Sequence, residues 1–186
     1  MKPFLSLSCL ILLVTACNNP ERKTETMGTD STKAATESSS DEMNYPYTLD
    51  KPYKNWKPGD KKHTLTVLKM LKAWETKNAA ECASYFGDSV DLAVDYFHKV
   101  IPHDSLISML EDSWKDYPNV RLKMDDWESV ISDDKKHEWV TVWYKQTWTD
   151  SKGKTDSLAV VNDAKIVNGK IVVFDEKIRH FPSAKK

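Results

Sequence analysis

The chain is poor in the residues that build nucleotide and metal sites. It has five glycines in 186 residues, and none falls in a P-loop or a Gly-rich nucleotide turn, so a phosphate cradle of that kind is excluded. Its five histidines are scattered without metal-ligand spacing. No cofactor or metal is expected. An excess of either charge is also lacking, with 27 Lys and Arg against 28 Asp and Glu. With no basic stripe interleaved with aromatics, nucleic acid is not an expected partner. No internal repeat is found. Cysteine occurs three times, as Cys9, Cys17 and Cys82. The one long apolar run, Phe4 to Val14, is too short and wrongly flanked for a membrane span.

That run reads as an address. Val14-Thr15-Ala16-Cys17 resembles the lipobox of bacterial lipoprotein signal peptides. The resemblance implies that residues 1–16 are removed and that Cys17 is acylated, making the membrane of a bacterial cell envelope the first partner. Asn18 follows where Asp would favour inner-membrane retention, so the outer membrane or cell surface is the expected side. An ordinary signal peptide with an incidental Cys is the alternative. Residues 17–52 form the expected tether: polar, rich in Ser, Thr, Glu and Lys, and too poor in large aliphatics to offset the entropy of ordering. Cys82 is then left without a disulfide partner, and its neighbours Ala79, Ala80 and Ala83 suit a packed thiol.

Residues 53–186 have the size of one small domain. Asp60 is placed to cap a helix with Leu65, Leu68, Leu71 and Trp74 as its buried stripe. Asn78 caps a second, short helix. Residues 89–102 alternate as one strand, with Leu92, Val94, Tyr96 and His98 on one side and Asp91 and Asp95 on the other. Asp104 is placed to cap a third helix, stopped by Pro118. Strands are expected over 120–132 and, rich in β-branched and aromatic residues, over Glu138–Thr149. Two more flank Asn168-Gly169, a pair that favours a two-residue hairpin turn.

A regular ladder from that hairpin pairs Ile166 with Ile171, Asn162 with Asp175 and Leu158 with Arg179. The core face would then hold Val160, Asn162, Ala164, Val173 and Asp175, joined by Val140, Val142, Tyr144 and Trp148. Trp139 and Trp143 fall on the reverse, unless a bulge in the 150–154 loop exchanges the two sets.

The element order implies an α+β fold in which a curved antiparallel sheet wraps a long N-terminal helix. On KAWETKNAAECASYFGDSVDL and the late NGKIVVF, the chain resembles the NTF2-like superfamily, in its polyketide-cyclase-like and ketosteroid-isomerase-like branches. The resemblance implies a cone with an internal pocket, often in a homodimer. The isomerase branch would put a Tyr near Met70, an Asp base near Val94 and a protonated Asp near Asn162; none of the three is kept.

Candidate ligand-binding residues are therefore Trp74, Tyr96, His98, Tyr144, Asn162 and Asp175. His98 either lines a pocket or is a hydrogen-bonded core residue. Glu176 and His180, four strand residues apart at about 13 Å, cannot form a dyad by themselves. Asn162 and Asp175 have two readings: convergent polar groups of an apolar pocket, or a mutually bonded pair that fixes strand register. Trp139 and Trp143 are candidates for an interface. Three functions fit: binding of a small apolar ligand or a protein partner, acid-base catalysis through Asp175, or an interaction module using the tryptophans.

Overall fold

The computed structural model describes residues 45–47, 55–95, 97–150 and 152–181. Chain order gives β1 (Lys57–Pro58), α1 (Lys61–Glu75), α2 (Ala79–Ser84), β2 (Phe86–Val94), β3 (Phe97–Pro102), α3 (His103–Asp116), β4 (Arg121–Ile131), β5 (Glu138–Thr149), β6 (Thr155–Val167) and β7 (Lys170–His180). No helix among the described residues is long and apolar enough to cross a membrane.

Asp60 caps α1 as expected, its carboxylate accepting from Lys62 N at 2.8 Å. The buried stripe, however, is Thr64, Val67, Met70, Leu71 and Ala73, and Leu65 is left 50% exposed. The cause lies just before the helix. Gly59 N donates to Ser129 O at 2.8 Å, and Asp60 N donates to Glu138 Oε1 at 2.9 Å. His63 Nδ1 lies 2.7 Å from the same oxygen. These contacts with β4 and β5 set the helix rotation so that His63 and Thr64 face the sheet, which carries Leu65 outward. Lys77 takes a positive φ of 59°, and Lys77 N and Asn78 N bond to Trp74 O and Ala73 O, closing α1 in a Schellman arrangement. Asn78 then caps α2, accepting from Glu81 N at 3.1 Å while its amide donates to Glu81 Oε2 at 2.9 Å. Glu75 Oε1 accepts from Leu122 N at 3.0 Å, tying the other end of α1 to β4.

The expected single strand over 89–102 is a hairpin instead. β2 and β3 pair antiparallel from Ser89↔Pro102 to Val94↔Phe97. The chain reverses at Asp95, whose φ is +50°, a conformation that Asp tolerates better than most residues. The third helix starts at His103, one residue ahead of the expected cap, Asp104. Pro102, with extended φ and ψ, is its N-cap without a side-chain bond, and Asp104 sits in the first turn beside the helix dipole.

The seven strands order as β1-β4-β5-β6-β7-β2-β3. The expected antiparallel meander is present as β4–β7, and every other pairing is antiparallel except β2 with β7, which makes the sheet mixed rather than wholly antiparallel. β5 and β6 pair without a slip, Tyr144 opposite Val160 and Val142 opposite Asn162. Val140, Val142 and Tyr144 accordingly face the core, and Trp139 and Trp143 the reverse. The β6–β7 ladder departs from the expectation. Asn168 and Gly169 both take positive φ and set Ile166 opposite Ile171, but Val172 bulges out and Lys165 meets Val173. Beyond the bulge every residue of β7 changes face. Asn162 pairs with Glu176, and Asp175 with Asp163.

The core lies between the helices and one sheet face, with Val67, Val90, Leu106, Val140, Val142, Val160 and Ile171 almost wholly buried. Tyr144, 1% exposed, is the largest side chain buried to that degree.

Candidate functional site

Not all of the space between α1, α3 and the sheet is filled. A cavity of about 440 Å³ remains, and its walls are chiefly apolar. Each aromatic in the walls follows from an element already described. Trp74 closes the last turn of α1 and meets Tyr117 edge-on, the ring centroids 6.2 Å apart. Phe86 opens β2 and meets Phe174 of β7 in the same way, again at 6.2 Å. Phe97 and Tyr144 complete the aromatic lining, with Leu92, Leu106 and Met109 between them. Two indole bonds join the helices along one side: Trp114 Nε1 donates to Trp74 O at 3.0 Å, and Trp74 Nε1 donates to Ser113 Oγ at 3.3 Å.

Polar groups converge at one place on the sheet. Asn162 is 0% exposed, and its Nδ2 donates to Tyr144 Oη at 2.9 Å. The hydroxyl therefore keeps its own proton for Glu176 Oε2, at a long 3.5 Å, or for a ligand. Among the described residues Asn162 Oδ1 has no hydrogen-bond partner. Gln146, also buried, lines the cavity two residues along β5 from Tyr144.

Glu176 is the ionisable group of this cluster that matters most. Burial pushes its carboxyl up, the Tyr144 hydroxyl pulls it down, and the negative charge of Asp95 pushes it up again, leaving it at about 7. At neutral pH it can therefore give or take a proton. Burial, with the neighbouring Glu176 charge, holds Tyr144 well above the usual phenol range, so it is a neutral hydrogen-bond donor. Cys82 lines the same cavity, and burial followed by the charge of Glu81 pushes its thiol up to about 12. A thiol so rarely ionised is no nucleophile.

A second depression, about 560 Å³ and open to solvent, lies by Lys72, Lys77, Asn119 and Arg121. Its one carboxylate, Glu75, is committed to Leu122 N and Lys72. No set of buried polar groups converges there. Among the described residues no cluster of His, Cys, Asp and Glu is arranged to hold a metal.

This architecture matches solved structures across most of the described domain. AclR from Streptomyces galilaeus, a proposed hydroxylase, superposes with a TM-score of 0.52 at 16% identity, over 67% of this chain and 83% of that one. An NTF2-like protein of unknown function from Burkholderia pseudomallei gives 0.52 at 16% identity, over 63% and 91%. The fold is NTF2-like. A proposed ketosteroid isomerase from Kribbella flavida gives 0.52 at 11% identity, over 69% and 86%. No family model matches the chain, and no curated protein matches it in sequence.

Within the NTF2-like domain the expected site residues separate. Trp74 and Tyr144 line the cavity, and Asn162 lies behind Tyr144. Asp175 does not reach the cavity. The Val172 bulge turns it to the reverse face, where Lys177 bridges it and Asp163 at 2.8 and 2.7 Å. His98 is also turned away, because the hairpin reverses the direction of β3. It pairs with Ala93, and its Nε2 lies 2.7 Å from Asp91 Oδ1, with the imidazole 70% exposed. Trp139 and Trp143 lie half-buried on the reverse face, opposite Lys165 and Val161. Tyr96 and Cys17 lie outside the described residues. Sequence reasoning missed Glu176 and Gln146, and with them Phe86, Phe97 and Phe174. One signal for Glu176 was available: Ile171-Val172-Val173-Phe174 is a run of four apolar residues that breaks strict alternation just after a tight hairpin.

Proposed function

We propose that the protein is a bacterial envelope lipoprotein, held to the membrane by acylated Cys17, whose domain binds one small, mostly apolar molecule. The observation that carries the binding reading is a cavity of about 440 Å³ with aromatic walls and hydrogen-bonding groups gathered at Glu176 and Tyr144. Apolar walls give affinity, and a few fixed polar groups give orientation. Native mass spectrometry of the full chain carrying Cys17→Ser tests it. An excess mass that is lost on denaturation is expected, and Trp74→Ala is expected to weaken retention. A chain that stays at its bare mass, and gains none from a panel of lipophilic compounds, would sink the reading. The anchor is tested separately. Incorporation of labelled palmitate should vanish in Cys17→Ala, and persistence of the label would refute acylation at that residue.

A catalytic reading draws on one observation, the near-neutral carboxyl of Glu176 beside the neutral donor Tyr144. Such a pair suits proton abstraction next to a carbonyl, with Tyr144 donating to the developing oxyanion. Two of the structural neighbours are themselves proposed enzymes, a hydroxylase and a ketosteroid isomerase. Turnover that disappears in Glu176→Gln while ligand binding is retained would favour catalysis over binding alone.

A further inference from the structure

We propose that the polar end of the cavity is built for a cationic nitrogen, so that the ligand is an organic amine with a hydrophobic body. The inference rests on the cavity being a ligand site, as proposed above. Its starting point is a charge asymmetry: among the described residues the lining includes the acids Asp112 and Glu176, and no Lys, Arg or His. Asp112 is 70% exposed and already paired with Lys115 at 2.7 Å, which leaves Glu176 as the inward-facing charge.

Among the described residues, the elements packed around Glu176 offer it no positive partner. β5 presents Tyr144 and β6 presents Asn162. β2 pairs Val94 with Glu176 and then turns at Asp95, bringing a second carboxylate beside the first. The remaining ionisable groups along the lining are Cys82 of α2 and Tyr117 after α3, both neutral when protonated. A carboxylate held in an apolar cavity with another acid beside it lacks a counter-ion. An ammonium group supplies that charge.

Hydrogen-bonding capacity agrees with the charge. An ionised Glu176 only accepts, and it is the inward-facing charge of the lining. An ammonium group carries only donors. The walls suit the rest of the same ligand, since Trp74, Phe97, Tyr117 and Phe174 can pack an alkyl or aryl body.

The test titrates the full chain carrying Cys17→Ser with octylamine, octanol and octanoate by calorimetry. These share a chain length and differ in the charge of the head. Octylamine is expected to bind roughly tenfold or more tightly than octanol, and octanoate more weakly than either. Octylamine affinity should rise between pH 5.5 and 8 as Glu176 ionises, while that of octanol should not. In Glu176→Gln the preference for the amine is expected to vanish. Asp95→Asn guards against misfolding, because Asn accepts the same positive φ and the site is exposed. It should weaken amine binding a few-fold and leave octanol unchanged. Equal affinity for amine and alcohol, or an amine preference that survives Glu176→Gln, would overturn the inference while leaving the cavity a binding site. If none of the three probes binds, the binding reading falls together with the inference.

Discussion

At the scale of single residues, Glu176 ties stability to pH. Its folded carboxyl sits at about 7, against 4.5 for an unperturbed glutamate. Between those values the folded protein holds a proton that the unfolded chain has released. Stability therefore falls as pH rises from about 4.5 to 7 and is level above. The full difference is on the order of 3 kcal/mol. Glu176→Gln keeps the shape and removes the titration, so it should be more stable than the parent at pH 8 and nearly equal at pH 4.5. Urea unfolding at both pH values measures this, and an identical difference at both would show that Glu176 ionises normally in the fold. Cys82 makes a second residue-scale case. With its thiol pushed up to about 12, alkylation by iodoacetamide at pH 8 should run roughly a thousandfold slower in the folded chain than after denaturation. Comparable rates would mean that the thiol is neither buried nor suppressed.

At the scale of elements, local chemistry was legible in the sequence and its three-dimensional consequence was less so. Asp60, Asn78 and Asn168-Gly169 act on their own neighbours within three residues, and each does what its side chain or backbone preference dictates. The β5–β6 register followed from carrying the hairpin alternation through the 150–154 loop without a bulge, which puts Val140, Val142 and Tyr144 on the core face although Trp139 and Trp143 interleave with them. Three features were not legible, and each is decided by contacts distant in sequence. Val172 is skipped in both ladders of β7, with β6 on one edge and with β2 on the other. The reversal at Asp95 brings β3 alongside β2, although nothing in 89–102 interrupts the alternation. The rotation of α1 is set by Ser129 and Glu138, more than sixty residues downstream. Tyr144 and Asn162 lie on the face that the β5–β6 alternation gives them, whereas the Val172 bulge puts Glu176 in the place expected for its neighbour Asp175.

That long-range pinning is itself testable. A Cβ on Gly59 would come within 2.2 Å of Ser129 Oγ and 3.1 Å of the Ser129 carbonyl carbon. Gly59→Ala should therefore cost about 1–3 kcal/mol, as overpacking does in a fitted contact. Ser129→Ala removes the nearer atom and should recover part of that loss in the double variant, a coupling read from the four unfolding free energies. Strict additivity would place the strain elsewhere.

At the scale of the whole molecule, the cavity sits where the fold is built least redundantly. β5 and β6 are each paired on both edges and contribute Val140, Val142, Val160 and Ala164 to the core. On the far side of the cavity, β3 is an edge strand whose residues are largely exposed, and α3 is joined to α1 by the two indole bonds of Trp74 and Trp114. Local opening is expected first in that second wall, because it has fewer buried contacts and an unpaired edge. A ligand in the cavity touches both walls but can add most protection to the one that opens more often. Hydrogen exchange should therefore show β3 and the middle of α3 exchanging well ahead of β5 and β6 in the free chain. Saturation with octylamine should slow exchange in β3 and α3 while leaving β5 and β6 within error of their free rates. Uniform slowing across the sheet would indicate that the ligand stabilises the fold only globally, through mass action on unfolding.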